Sequence, residues 1–145
     1  MKITRFWTQG AMVFLLVSLV LSFQSCKKKA KEEGPSERTV LLTKAPWQGI
    51  EYREYEGDSL TYWEDWSDLR LKFDTDDTYK VYFLQDSTGG NWEWTEHETA
   101  IHFMPWEENE EFTLQVDTLT ETKLSMHIEE VDDGIRERAE LYFRR

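Results

Sequence analysis

The stretch LRLKFDTDDTYKVYF, residues 69–83, decides the fold of this 145-residue chain. Apolar and aromatic residues alternate with polar ones on both sides of a short acidic segment, residues 74–77. Alternation with a period of two is typical of a β-strand that has one buried and one solvated face. Two such runs joined by a short polar segment indicate a hairpin, so the stretch predicts two neighbouring antiparallel strands.

The same alternation continues towards the C-terminus. It recurs in residues 92–94, 101–103, 112–117, 124–128 and 139–144. Short segments rich in Asp, Glu, Gly and Asn separate these runs, as hairpin turns do. We therefore predict an all-β, antiparallel up-and-down meander that closes into a barrel of about eight strands, because closure removes the exposed edges of an open sheet.

Closure of the barrel requires that its first and last strands pair with each other. We place the first strand at about Trp47–Glu56 and the last strand at about Ile135–Arg144. We predict that these two strands pair along their length.

Several pieces of the chain, in this order, resemble the lipocalin-like domains of small lipoproteins from Gram-negative bacteria. WQG at residues 47–49 resembles the start of that family's first strand, and residues 69–79 resemble its hairpin with an acidic turn before Thr-Tyr. GNWEW at residues 90–94 resembles its Gly-x-Trp strand, and residues 112–126 resemble its closing strands. The resemblance spans residues 47–143 and implies a small lipid-anchored β-barrel.

The resemblance also implies a contact between the two ends of the domain. In such barrels an arginine from the last strand often packs over the tryptophan of the first strand, here Trp47, as a cation–π contact. Arg136, Arg138 and Arg144 are the candidates for this contact. Asp77 stands where the family's hairpin turn usually has glycine, so this turn is expected to differ in type.

The N-terminal leader has the anatomy of an export signal. Lys2 and Arg5 precede an apolar run at residues 11–23, and Ser25 is a small residue before the sole cysteine, Cys26. The apolar run is shorter than the roughly 20 residues that a spanning helix needs. The pattern predicts a cleaved signal peptide.

Cys26 stands where a bacterial lipoprotein is lipidated, and LSFQSC resembles that signal with Phe23 in place of the usual leucine. We therefore predict lipid attachment at Cys26 and a membrane-anchored lipoprotein of the cell envelope, in the outer membrane and facing the periplasm or the surface. The alternatives are an uncleaved anchor helix over residues 6–26 and an ordinary signal peptide with an incidental cysteine.

Composition divides the chain into three parts. Residues 1–25 are the predicted signal peptide, residues 26–45 a lipidated cysteine with a flexible tether, and residues 46–145 the barrel. The barrel holds 26 acidic and nine basic residues, a net charge of −17. So acidic a domain excludes nucleic acid as a partner, because phosphate contacts need Lys and Arg.

The barrel interior is the predicted ligand site, since a barrel of this size holds either packed side chains or one small ligand. The inward-facing candidates for a ligand lining are Phe73, Tyr79, Val81, Phe83, Trp92, Trp94, Phe103, Leu114 and Met126. Their bulk favours a filled interior over a cavity.

The irregular segment at residues 57–68 contains Tyr62, Trp63 and Trp66. We expect these aromatic residues to lie on a short helix or a loop. There they would either plug one end of the barrel or form a lid over a pocket.

Motifs for catalysis or metal binding are missing from the sequence. The three histidines lack a zinc-ligand spacing, the acidic clusters match no calcium loop, and no serine stands in a nucleophile motif. We therefore expect a protein that is not an enzyme and that uses no metal or cofactor.

Two functions stay open at this point. The first is a barrel that binds a small apolar or aromatic ligand. The alternative is a non-catalytic interaction protein with a filled barrel that docks on another envelope protein through its acidic surface. A cavity of roughly 300 Å³ or more with converging polar groups would favour the first function.

Overall fold

The computed structural model describes residues 34–107 and 110–145, which contain one α-helix and nine strands. The helix is α1 (Glu37–Thr43). The strands are β1 (Trp47–Glu56), β2 (Ser59–Asp65), β3 (Leu69–Phe73), β4 (Thr78–Phe83), β5 (Asp86–Trp94), β6 (Ala100–Pro105), β7 (Phe112–Leu119), β8 (Lys123–Asp132) and β9 (Ile135–Arg144). The predicted signal peptide, Cys26 and the first part of the predicted tether lie outside the described residues.

The strands form a closed antiparallel barrel, which confirms the predicted fold class. From β3 to β9 each strand pairs with the next, and β9 pairs back with β1 from Gln48 opposite Arg144 to Glu56 opposite Glu137. The predicted pairing of the first and last strands is therefore confirmed. On its other edge β1 pairs with β2 and β3, which lie end to end, so the ring has eight strand positions.

Strand β2 corrects the expectation of a loop or short helix at residues 57–68. It pairs with the second half of β1, after a tight turn in which Gly57 has a φ of 59°. Glycine adopts this left-handed conformation at little cost. The Trp66 amide then donates to the Ile50 carbonyl at 3.0 Å, which continues the ladder towards β3. Both faces of β2 are exposed, which explains why its sequence does not alternate.

One apolar core occupies the barrel interior. Its buried members are Leu42, Trp47, Leu71, Phe73, Tyr79, Trp92, Ile101, Phe103, Leu114, Leu124, Met126 and Phe143. Most of them stand at alternate positions of the strands, as the period-two pattern requires. Full burial of one such side chain contributes about 1.5–3 kcal/mol, so this cluster is the main source of stability.

Helix α1 corrects the predicted end of the flexible tether at residue 45. Ser36 caps the helix, and its Oγ accepts a hydrogen bond from the Thr39 amide at 3.1 Å. Leu42 is fully buried, and the Trp94 indole donates to the Thr39 hydroxyl at 3.0 Å. The compact unit therefore begins at Pro35, because α1 contributes a side chain to the core.

Arg145 makes the predicted contact with the first-strand tryptophan, so the three candidates Arg136, Arg138 and Arg144 were wrong. Its guanidinium lies 3.7 Å from the centre of the Trp47 ring. The same group donates to carbonyl oxygens at the end of α1, at 2.6 Å in the case of Leu41. Arg145 follows directly on β9 and can therefore turn over the end of the barrel. We call this end, which α1 covers, the closed end.

Candidate functional site

The opposite end of the barrel, which we call the mouth, carries a four-stranded extension. It consists of β2 with residues 51–56 of β1, residues 135–142 of β9 and residues 125–132 of β8. These strands run out to two turns, at Gly57 and at Gly134, which both have a positive φ. We call this extension the ribbon, and its inner face is the one that continues the barrel interior.

An apolar cavity of about 210 Å³ opens inside the barrel next to the ribbon. Its walls come from β3 to β9 and from Trp66 in the turn before β3. Nearly all lining side chains are apolar or aromatic, and the Thr88 hydroxyl is one of the few polar groups among them. The interior is thus partly filled, and the open space is smaller than the roughly 300 Å³ that marks the lower limit of typical ligand pockets.

The cavity contains five of the nine predicted lining residues. These five are Tyr79, Val81, Phe103, Leu114 and Met126.

The remaining four predicted lining residues lie elsewhere, which corrects their assignment. Phe73 and Trp92 are buried in the core, where their rings pack edge to face at 5.4 Å. Trp94 packs against α1 at the closed end, with Arg38 over its ring. Phe83 ends β4 at the mouth and is 47% exposed. Alternation identified the inward face but not the depth along the barrel, and depth decides which residues reach the cavity.

The three predicted lid residues are separated by the structure. Trp66 alone lines the cavity. Tyr62 and Trp63 are neighbours on β2 and therefore point to opposite faces of the ribbon. Tyr62 contacts Tyr52 on the inner face, and the Trp63 indole donates to the Glu51 carboxylate at 2.7 Å on the outer face. These two residues are strand residues of the ribbon and do not cover the cavity.

The inner face of the ribbon holds a second cavity, of about 400 Å³. Three registered rows of side chains cross β1, β9 and β8 there, from the barrel outwards. The rows are Tyr52, Leu141 and Met126, then Glu54, Ala139 and Ile128, and finally Glu56, Glu137 and Glu130. The face therefore changes from apolar beside the barrel to acidic at the tip. We call the last three residues the acidic row.

Tyr52 and Trp66 join the two cavities. Their rings stack with centroids 4.9 Å apart, and each ring lines one of the cavities. The Tyr52 hydroxyl donates to Glu54 at 2.6 Å, and the Trp66 indole donates to Glu64 at 3.1 Å. Burial, together with the bond to Glu54, raises the pKa of Tyr52, so its hydroxyl stays protonated and keeps donating.

Comparison with known proteins identifies the fold. No family model matches the chain, and no curated protein matches it either. Among solved structures, it is similar to the crystal structure of a lipocalin-like protein from Bacteroides uniformis, with a TM-score of 0.52 and 16% identity. The likeness covers 72% of this chain and 98% of that chain. The fold is a lipocalin-like barrel.

The outer face of the ribbon differs from the inner face in its ion pairs. Glu51 bonds Arg53, and Glu140 accepts from Arg138 at 3.0 Å and from the Tyr142 hydroxyl at 2.5 Å. Burial, followed by the bond to Glu140, raises the pKa of Tyr142 to about 12. Carboxylates on this face of the lipocalin-like barrel are therefore held by donors on neighbouring positions.

The acidic row has no such donors. Among the described residues, none of its three carboxylates has a hydrogen bond or an ion pair. Sequence reasoning missed this row because it considered acidic residues that are close in the chain, whereas these three lie on three different strands. The signal was the Asp133-Gly134 turn, since a tight turn between two strands sets their register and so places Glu130 opposite Glu137.

Residues 34–107 and 110–145 contain neither a side-chain cluster for a metal ion nor a helix that could span a membrane. No group of three or more His, Cys, Asp or Glu side chains in these segments could hold a metal ion. No helix in this part of the chain is both long and apolar enough to span a bilayer.

Proposed function

We propose that the protein is a lipid-anchored lipoprotein of the cell envelope whose lipocalin-like barrel binds a small apolar ligand. The observation that supports ligand binding is the open apolar cavity of about 210 Å³. A cavity of about 150 Å³ lined by aliphatic and aromatic side chains is enough to bind benzene. The space therefore suits a short aliphatic chain or a small aromatic group, and it is too small for a drug-sized ligand.

The lining supports an apolar ligand in particular. The walls contain aliphatic and aromatic side chains such as Leu71, Phe103 and Leu114, and no charged side chain. Transfer of apolar surface into such a site is favourable by about 25 cal/mol per Å², whereas an unpaired charge there would be costly. We therefore assign the apolar part of the ligand to this cavity.

Binding is tested with octanol, a neutral probe with a short tail. The full chain, recovered from the membrane fraction and placed in phosphatidylcholine nanodiscs, is titrated and followed by ligand-detected NMR, with empty nanodiscs as the blank. Val81→Phe fills the cavity and should weaken octanol binding at least tenfold, because the tail loses its space.

Val40→Phe is the matched control, since Val40 is an exposed residue of α1 at the closed end. This variant should bind octanol within about twofold of the wild type. Equal binding by wild type and Val81→Phe would contradict a ligand site in the cavity. Native mass spectrometry of the purified protein would identify any molecule that it retains from the cell.

The proposed anchor at Cys26 is tested separately. Cys26→Ser should abolish palmitate labelling and release the protein from the membrane fraction, because serine has no thiol to acylate. The matched control is Ser25→Ala, which keeps a small residue before the cysteine and should still be labelled. A Cys26→Ser protein that stays in the membrane fraction would point to an uncleaved anchor helix instead.

Docking on another envelope protein is the second candidate function, and the free edge of β2 favours it. Within the described strands β2 pairs only with β1, and Leu60 and Trp63 are each 54% exposed. Unprotected strand edges are sites for pairing with another chain. A photo-crosslinker at Trp63 should give a defined adduct in intact cells, and the same crosslinker at Val40 should not. Absence of a Trp63-specific adduct would contradict docking at this edge.

A further inference from the structure

The two cavities of the mouth form one continuous surface. The apolar cavity ends at Leu141 and Met126, and the next inward residues on the same two strands, Ala139 and Ile128, line the second cavity. The stacked rings of Tyr52 and Trp66 close the junction on the β1 side. A molecule whose tail lies in the apolar cavity would therefore place its other end over the inner face of the ribbon.

The chemistry of this second cavity is acidic and aromatic. Four glutamates line it, namely Glu54, Glu56, Glu130 and Glu137, together with Tyr52 and Tyr55. Arg138 also lines this cavity, but its guanidinium bonds Glu140 on the outer face at 3.0 Å. Tyrosine rings attract cations through their π-faces, so both types of side chain favour a positively charged group.

The acidic row is not explained by the stability of the barrel. Glu137 lies directly opposite Glu56 on one side and Glu130 on the other. Like charges at directly opposed positions of neighbouring strands are destabilising. Local arrangements that oppose stability without a compensating contact are expected at functional sites. A cation on this face would supply the missing contact.

We propose that the ligand of the barrel is a cationic amphiphile, with its apolar tail in the barrel cavity and a protonated amine or similar organic cation over the acidic row. This inference rests on the proposed function, because the tail site is the cavity assigned there. It adds the charge of the headgroup and its location. The cation lies between the carboxylates of β1, β9 and β8, and the Tyr52 ring flanks the tail where it leaves the barrel cavity.

Three probes with the same eight-carbon tail separate head from tail recognition. Octylammonium, octanol and octanoate are titrated against the full chain in phosphatidylcholine nanodiscs by ligand-detected NMR at low ionic strength, with empty nanodiscs as the blank. Octylammonium should bind about tenfold more tightly than octanol, because its charge is attracted by several carboxylates. The factor is only about tenfold because each exposed carboxylate adds little to the binding free energy. Octanoate should bind at least tenfold more weakly than octanol, because its charge has the sign of the row.

Neighbouring glutamates of β8 give a matched pair of variants. Glu130→Gln removes a carboxylate of the acidic row, whereas Glu129→Gln removes one from the outer face, where it faces Arg136 at 4.0 Å. Both variants lose the same charge, so a general electrostatic effect would be equal in both. Glu130→Gln should reduce octylammonium affinity about threefold and the double variant with Glu137→Gln about tenfold. Glu129→Gln should stay within about 1.5-fold.

The outcomes distinguish the inference from the function on which it rests. If octanol binds and Val81→Phe abolishes that binding, while octylammonium is no better than octanol, the cationic headgroup is wrong and the apolar site stands. If none of the three probes binds, both are wrong. Equal losses in Glu129→Gln and Glu130→Gln would also overturn the placement of the head on the inner face.

Discussion

The two faces of the ribbon are built from the same four strands, yet arginines bond carboxylates on the outer face, whereas on the inner face Glu54 accepts from the Tyr52 hydroxyl. On the outer face Glu140 is held by Arg138 and Tyr142, and Glu129 faces Arg136. On the inner face the acidic row of Glu56, Glu137 and Glu130 has no donor among the described residues. The arginines that bond these glutamates, Arg136 and Arg138, both belong to β9, and both bond carboxylates of the outer face. The two faces of the ribbon therefore differ in which charges they neutralise.

This difference indicates which face of the ribbon stabilises the fold. A carboxylate with a charged donor and little exposure contributes to stability, and its loss leaves the donor unsatisfied. Three opposed carboxylates without a donor detract from stability. The outer face therefore fastens the ribbon, and the inner face is free to present charge to a ligand. The predictions below test this assignment from the largest effect to the smallest.

Glu140→Gln on the outer face should have the largest effect. The Glu140 side chain is only 15% exposed, and its loss of charge weakens the bonds from Arg138 and Tyr142. Loss of charged hydrogen bonds at a mostly buried site costs about 1–3 kcal/mol in the free energy of unfolding. Urea denaturation of the nanodisc-bound chain, followed by tryptophan fluorescence, measures it. If Glu140→Gln changed the free energy of unfolding no more than Glu137→Gln does, the outer face would not stabilise the ribbon more than the inner face.

Tyr142→Phe should change the response to alkaline pH. The folded pKa of Tyr142, about 12, lies above the value of about 10 for an unfolded tyrosine. Its contribution to stability is therefore fully present below pH 10 and is lost as the pH rises from 10 towards 12. Tyr142→Phe should lower stability at pH 9 by about 1 kcal/mol and should lose less than the wild type between pH 9 and 11.

Tyr82→Phe, at an exposed position of β4, is the control for this experiment. It should match the wild type at pH 9 and pH 11 alike. Tyr52 on the inner face also has a raised pKa, so some alkaline loss should persist in Tyr142→Phe. An unchanged pH response in Tyr142→Phe would show that the hydroxyl does not fasten the outer face.

The barrel could be predicted from the sequence because one physical rule repeats along it. Alternating side chains must face the core and the solvent in turn, and this rule located β3 and β4 with the bounds that the structure has. Helix α1 was missed because its seven residues are too few for a helical pattern, and only Leu42 in it is buried. The sequence feature that could have located this helix is Ser36, because serine is a preferred residue at the N-terminal cap of a helix.

The candidate site was only partly predictable, because it depends on register and depth. Composition showed many acidic residues. That Glu137 lies opposite Glu56 on one neighbouring strand and Glu130 on the other follows only from the turns that set the register. Alternation predicted Phe83 and Trp94 as members of one inward-facing set, yet these two residues lie at opposite ends of the barrel. At Asp77 the family's glycine is replaced, and this aspartate adopts the left-handed conformation itself with a φ of 62°.

Glu137→Gln on the inner face should have the smallest effect and the opposite sign. Removing the central charge of the acidic row relieves repulsion from both Glu56 and Glu130, so the free energy of unfolding should rise by a few tenths of a kcal/mol. The Debye length, over which salt screens the repulsion between exposed charges, is about 10 Å at 0.1 M salt and about 3 Å at 1 M. The gain should therefore be present in dilute buffer and absent at 1 M sodium chloride. Urea denaturation at both salt concentrations measures it, with Glu140→Gln as the comparison whose loss persists at high salt. If Glu137→Gln instead destabilised the barrel at low salt, the acidic row would have a structural partner, and the inner face would fasten the ribbon as the outer face does.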